Sequence, residues 1–369
     1  MRRLLLAFLL IANFAFAANV DVTQLHVPPG FKVEIFADPG HKPRFTAFSP
    51  GGTLLATSLE DGAVVAMADP QHTGHATRVV TMLEDLNAPH GIAFHNGKLF
   101  VAETDKLVRY DWDEANLKAT NPLKYFDLPK GGGHMTRTII FANGKMYVAA
   151  GSSCNVCADP PDRAAVLEYN EDGSGAHVFV SGSRNAVGLA LSPVTNTVWG
   201  TENGRDWLGD DLPPDEINDF GTKGGDFGWP YCYGDRVPDL KFSSQATTRC
   251  PSTIPPKMKL QAHSAPLGLT FYTGTMFPTE YKNDLFVAFH GSWNRSVPTG
   301  YKVVRIRMDK QGNPIAQEDF LTGFVKPGET RKGVWIGRPV GVTVGPDGAL
   351  YVSDDASGPI YRISYVGKK

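Results

Sequence analysis

Several residues have types and neighbours that could do chemistry. His134 stands behind Gly131, Gly132 and Gly133 in "KGGGHMTRTIIFANGKMYVAAGSSCNVC". A histidine titrates near neutrality and can take a proton from a substrate hydroxyl, and glycines beside it let a flat ligand approach the backbone. The plainer reading makes the glycines a turn and His134 its exposed end. His90 leads into another apolar run in the same way. Arg184, followed by Asn185 in "SGSRNAVGLAL", and Arg338 in "IGRPVGVTV" also stand just ahead of apolar runs, while Arg295 in "FHGSWNRSVPTG" follows one. Guanidinium groups bind carboxylates bidentately, so these arginines suit an anionic ligand. Each alone reads equally well as a loop arginine; three together favour the ligand. The acidic, glycine-rich stretch Thr201–Asp235 offers carboxylates and backbone carbonyls, the hard oxygen donors that Ca²⁺ takes, without the spacing of an EF-hand. A solvated acidic loop is the alternative there.

Something must bring these scattered residues together, and an internal repeat does so. A short apolar strand, a turn of Gly, Asn, Pro or Asp, and a second apolar strand recur six times, starting at Phe45, His90, Arg137, Val187, Leu267 and Val340. Asn96-Gly97, Asn143-Gly144 and Asp347-Gly348 occupy the turns, where positive φ is needed. Further strands follow most copies, as in "LVRYDWD" and "LKYFDL" after the second, and no amphipathic helix of any length is apparent. Four short strands per unit and six units predict an all-β, six-bladed β-propeller with four-stranded antiparallel blades. The last unit is one strand short, and "FKVEIFAD" (residues 31–38) precedes the first, so the N-terminal strand is expected to close the last blade. Residues ahead of the first strands then converge on one mouth of the central channel.

Residues 1–17 read as a cleavable signal peptide: Arg2 and Arg3, the apolar run from Leu4 to Ile11, then Ala15-Phe16-Ala17. Residues 18–369 then form one exported propeller domain, periplasmic or secreted, and no later run is long enough to span a membrane. A formal charge of -2 gives no electrostatic case for nucleic acid or an anionic membrane. Four cysteines in an exported chain favour two disulfides, Cys154–Cys157 and Cys232–Cys250, with a four-cysteine zinc site as the rival. The first pair is expected at the far end of its blade. Ala158 after Cys157 excludes c-type haem attachment.

The motifs "GSRNAVGLALSP", "TENGRD…DDLPPDEIN…GGDFGWPYCYG", "HSAPLGLTFY", "FVAFHGSWNRS…GYKVVRI" and "GRPVGVTVGPDGALYVSDD" together resemble the soluble glucose/sorbosone dehydrogenases, which use pyrroloquinoline quinone (PQQ) on a six-bladed propeller. The likeness runs from about residue 28 to 365 and is greatest to the L-sorbosone dehydrogenase-like branch. It implies His134 as catalytic base, with Arg184, Asn185, Arg295, Arg338 and, more loosely, His90 as cofactor contacts. The carbonyls of Gly204 and Arg205 match those that hold the Ca²⁺ coordinating PQQ, and Asp215 and Glu216 match acidic residues supporting that loop or a further ion. PQQ carries three carboxylates, which accounts for a ring of arginines without nucleic acid. The implied reaction is oxidation of an aldose, or of a ketoaldose or other aldehyde, by base-assisted hydride transfer to the quinone. Electrons would pass to an external acceptor, a cytochrome or quinone. The chain departs from glucose-specific members, which have Gly-Pro where Gly204-Arg205 stands; Arg205 is expected either to face a cofactor carboxylate or to weaken metal binding. A calcium-dependent propeller lactonase or esterase, and a non-catalytic binding propeller, are the alternatives.

Overall fold

The computed structural model describes residues 20–221 and 223–367; the expected signal segment lies outside the described residues. Two of the predicted turns show why the hairpins form. Asn96 and Gly97, and likewise Asn143 and Gly144, all take positive φ, the geometry that matches strand twist in a two-residue turn. In the last hairpin only Gly348 does so, within a longer connection.

Six antiparallel blades result. Each runs outward from an inner strand: Thr46–Phe48, Gly91–His95, Ile139–Ala142, Leu189–Leu191, Pro266–Phe271 and Pro339–Val344. The ring closes as expected. Phe31–Ala37 is the fourth strand of the last blade, antiparallel to Ile360–Tyr365, with Phe31 opposite Tyr365. The Phe31 ring packs edge-on against Phe277 and Phe320 of the fifth blade, at 4.7 and 5.1 Å, so the closing strand also seals a seam. Burying such a ring contributes about 2 kcal/mol.

Apolar cores fill the seams between blades. Phe100 and Leu107 of the second meet Met146 and Leu167 of the third, and Trp199 of the fourth stands edge-on to Phe271 of the fifth. Near the axis the seams are polar and regular. Thr201 Oγ1 accepts from the Gly188 N–H at 2.8 Å and donates to the Leu267 carbonyl of the next blade at 2.9 Å. Ser353 repeats the arrangement between Gly341 and the Arg44 carbonyl, and Thr57 reaches the His90 carbonyl at 2.8 Å. The inner strands lie so close that a Cβ on Gly188 would sit 2.1 Å from the Leu267 oxygen. This belt fixes the depth and angle of each inner strand, and so of the residues just ahead of it.

Three elements differ from expectation. Within the stretch read as one acidic insertion, Asp215–Asp219 is the buried third strand of the fourth blade, although Asp, Glu and Asn are poor strand formers. Farther on, Gly225–Asp226 adds a fifth, parallel strand to the third blade, and a seven-residue helix, Ser243–Arg249, interrupts the all-β pattern.

Candidate active site

The segment carrying His134 is held by arginines. Arg137 donates to the carbonyls of His134 at 3.0 Å and Pro129 at 2.6 Å. Arg163 donates to the Gly151 carbonyl at 2.6 Å and to those of Gly131 and Ser152. Gly131 and Gly132 take positive φ, and a Cβ on Gly132 would fall 2.4 Å from Ser153 Cα. Gly132 therefore docks this loop on its neighbour, while Gly131 and Gly133 stand clear of close contacts. Gly151 has the other close approach, with His134 Cβ 2.8 Å and Asn185 Oδ1 2.5 Å from where its own Cβ would be.

His134 Nδ1 lies 2.6 Å from the Ser152 carbonyl. A carbonyl can only accept, so Nδ1 carries the hydrogen and Nε2 keeps a lone pair. Burial, then the Arg184 and Arg163 cations, push the imidazole pKa down to about 4, against the Ser152 carbonyl and Asp159. His134 is thus a neutral acceptor at any pH well above that value.

Arg184 and Asn185 line the same pocket as His134, together with Asn203, Gly204 and Asp206. The buried Arg184 guanidinium donates to the Asn155 carbonyl (3.2 Å) and Oδ1 (3.0 Å), and to the carbonyls of Asn203 (2.9 Å) and Gly204 (3.0 Å). Asn155 sits inside the Cys154–Cys157 disulfide, and its Oδ1 also accepts from the Asp206 N–H at 3.0 Å. Both disulfides form as paired from the sequence. The first, however, lies at the site end of its blade and not at the far end, because the chain turns back along the rim before the next strand.

Asp215 is at the pocket wall, where its carboxylate accepts from the N–H groups of Gly204 at 3.0 Å and Ala265 at 2.9 Å. Burial raises it to about 7. Glu216, its neighbour along the strand, faces an adjoining small cavity with Glu202, Arg205 and Asp239, and Arg184 and Gly204 line both cavities. Burial raises Glu216 to about 7 and Glu202, with Glu216 opposite, to about 8. Arg205 resolves the question its charge raised: Nη1 pairs with buried Asp239 at 2.7 Å, turning the side chain away from the pocket of His134.

The remaining expected contacts are elsewhere. Arg338 donates to the carbonyls of His290 (3.1 Å) and Gly291 (2.9 Å), over the Tyr301 ring. His90 is fully buried against Phe45, with Nε2 lacking a partner and burial holding it well below the ordinary histidine range. Arg295 reaches the rim, to the Asp210 carbonyl and the Asp211 carboxylate at 3.2 Å.

Sequence reasoning missed Arg44, Arg137, Arg163, Asn155, His290 and Asp355. Asp355 pairs with Arg44 and, at 2.8 Å, with His290 Nε2, so its carboxyl titrates far below the usual range. Arg44 and Arg137 stand just ahead of first strands, the position that singled out Arg184 and Arg338. The same rule applied to all six units finds them.

A family model described as TrAA12-like matches residues 25–366. The chain is 33% identical to an uncharacterized protein of Borreliella burgdorferi, over 98% of this chain and 97% of that one. It is 26% identical to a pyrroloquinoline quinone-dependent pyranose dehydrogenase of Coprinopsis cinerea, over 92% of this chain, and spans about half (54%) of that protein. Among solved structures, the calcium structure of a Trichoderma reesei carbohydrate-active enzyme of family AA12 superposes with a TM-score of 0.79 at 22% identity, covering 92% and 97% of the two chains. At that identity the likeness establishes the fold.

Proposed function

We propose, from the premise that the chain belongs to the TrAA12-like family, that it is an exported PQQ- and Ca²⁺-dependent sugar dehydrogenase. Its substrate would be an aldose or a ketoaldose, with electrons leaving to an external cytochrome or quinone. The observation that carries this reading is the pocket shared by His134, Arg184, Asn185 and Gly204, in which His134 Nε2 is an unprotonated acceptor.

The donor set suits the cofactors. Gly204 and Arg205 supply backbone carbonyls, the oxygen type Ca²⁺ takes, and a carbonyl that accepts from Arg184 keeps a second lone pair. Asp215 braces that turn through the Gly204 N–H instead of competing for the ion. Arg184 and Arg338 bring positive charge from two blades, which suits a polycarboxylate, while Arg44 is paired with Asp355. Arg184 directs its N–H groups at carbonyls, so its attraction for a carboxylate is long-range, whereas Arg338 Nη1 takes no acceptor among the described residues.

When bound, PQQ supplies a two-electron acceptor and Ca²⁺ a Lewis acid beside it. His134 Nε2 takes the hydroxyl proton of the sugar, and the Ser152 carbonyl steadies the resulting imidazolium through Nδ1–H. The Asp355 cluster and the belt of inner strands hold the surrounding walls. The lactonase alternative calls for a metal held by several side chains in the channel; among the described residues no group of three or more His, Cys, Asp or Glu is so arranged.

Reconstitution with PQQ and Ca²⁺, followed by dye reduction with a panel of aldoses, tests the reading. His134→Ala should keep PQQ binding and lose about 10²–10⁴-fold in turnover. A fully active variant would remove His134 from the chemistry, and lactone hydrolysis without PQQ would replace the reading.

A further inference from the structure

Beside the pocket two indoles are exposed to an unusual degree. Trp207 is 68% exposed and Trp293 57%, and their rings meet edge-to-face with centroids 5.3 Å apart. They come from different blades: Trp207 from the insertion after Val198–Glu202, Trp293 from the loop after Leu285–Phe289. Trp293 lines the same pocket as His134.

The pair is held in place rather than left over. Asn294 Nδ2 donates to Asp206 Oδ1 at 2.8 Å, and the Ser296 N–H donates to the Asp210 carboxylate at 3.0 Å. Arg295 reaches the Asp210 carbonyl, and His263 Nε2 donates to the Gly209 carbonyl at 2.9 Å. Trp207 itself sits at φ +70°, a conformation bulky side chains avoid and one that local structure must enforce. A rim braced on both sides of a strained tryptophan keeps an apolar corner facing water.

We propose that Trp207 and Trp293 form a second sugar subsite, which stacks the pyranose ring next to the one presented to His134. The substrate class is then a disaccharide or short oligosaccharide, not a free monosaccharide. This rests on the dehydrogenase reading above for the ring at His134. A pyranose offers a face of polarised C–H groups that complements the negative face of an indole, and its edge carries hydroxyls that need acceptors. Asp211, with its side chain 88% exposed in the same rim segment, supplies one. Exposure at the rim suits an occupant that enters from solvent.

Two measurements test it. In the PQQ-free protein, cellobiose and maltose should quench tryptophan fluorescence at concentrations where glucose does not, and Trp207→Ala should abolish the effect. In the reconstituted enzyme, the ratio of kcat/KM for disaccharide over glucose should fall about tenfold in Trp207→Ala and be largely kept in Trp207→Phe. An unchanged ratio, or no quenching, overturns the subsite while sugar oxidation leaves the dehydrogenase reading standing. Quenching by disaccharides without oxidation of any sugar keeps the subsite and overturns the dehydrogenase. If Trp207→Ala instead weakens the PQQ titration, the pair serves the cofactor and the subsite is wrong.

Discussion

On the side of the channel mouth built by the third and fourth blades, Arg137, Arg163 and Arg184 direct their N–H groups at backbone carbonyls. Asp206 stays 3.8 Å from Arg184. On the side built by the fifth, sixth and first blades, Arg44 and His290 close directly on the carboxylate of Asp355. Carbonyls anchor a guanidinium without neutralising it, so the first side keeps a positive field and the second is largely cancelled within itself. His134 sits in the uncancelled field, which adds to burial in holding it neutral. The two sides teach that one residue type can serve as a charge on one wall and as a structural tie on the other.

The largest test removes the cation from the first side. Arg184→Ala deletes four hydrogen bonds that join Asn155 to the turn at 203–204. Charged hydrogen bonds are each worth about 1.5–3 kcal/mol, so PQQ affinity should fall about 100-fold in a reconstitution titration. Arg338→Ala, with two carbonyl bonds, should lose about tenfold; equal losses would erase the contrast between the walls.

Asp355→Asn strikes the other wall. It should cost about 2 kcal/mol, read as a lower urea midpoint, because Arg44 loses its counter-ion and His290 its carboxylate acceptor. The folded-state pKa lies below the ordinary 3.8, so this contribution is present above that pH and lost as pH falls beneath it. An unchanged midpoint would mean the cluster holds nothing together.

A pH profile reads the field itself. Protonated His134 cannot act as base, so kcat/KM should be flat at neutrality and fall as pH drops through about 4. Arg163→Gln removes one of the two facing cations, leaving Arg184, Asp159 and the Ser152 carbonyl, and should move that limb upward. A limb that stays put would remove Arg163 from the cause and leave burial and Arg184.

The smallest effect falls on the loop between Cys154 and Cys157. Asn155→Ala removes one acceptor of Arg184 and should weaken the PQQ titration about fivefold. Mild reduction of the disulfide should do the same, and no change on either treatment would make the loop a bystander.

Much of the fold was legible because its signals are local. Asn-Gly turns between alternating apolar strands mark the hairpins, and the missing last strand pointed to Phe31–Ala37. The strand at 215–219 was not legible, since its acidic residues become tolerable only when partners such as the Gly204, Ala265 and Gly234 N–H groups satisfy them. The rule of position ahead of a first strand brought out His134, Arg184, Asn185 and Arg338. It holds as well for Arg44 and Arg137, which were passed over. Asn155 and Arg163 follow no such rule, because the long loop after Ala150 carries them to the mouth, and Asp355 directly follows a second strand instead of preceding a first.

The sequence by itself determined a ring of six repeats, its point of closure, both disulfide pairings and the type of chemistry on offer. Each depends on residues near one another in the chain or on spacings repeated along it. Only the tertiary structure decided that Arg205 turns to Asp239, that Glu216 faces another cavity, and that Arg295 braces the rim beneath two exposed tryptophans. Side-chain direction is settled by which partners arrive from other blades, and a long arginine reaches whichever acceptor the folded neighbours present first.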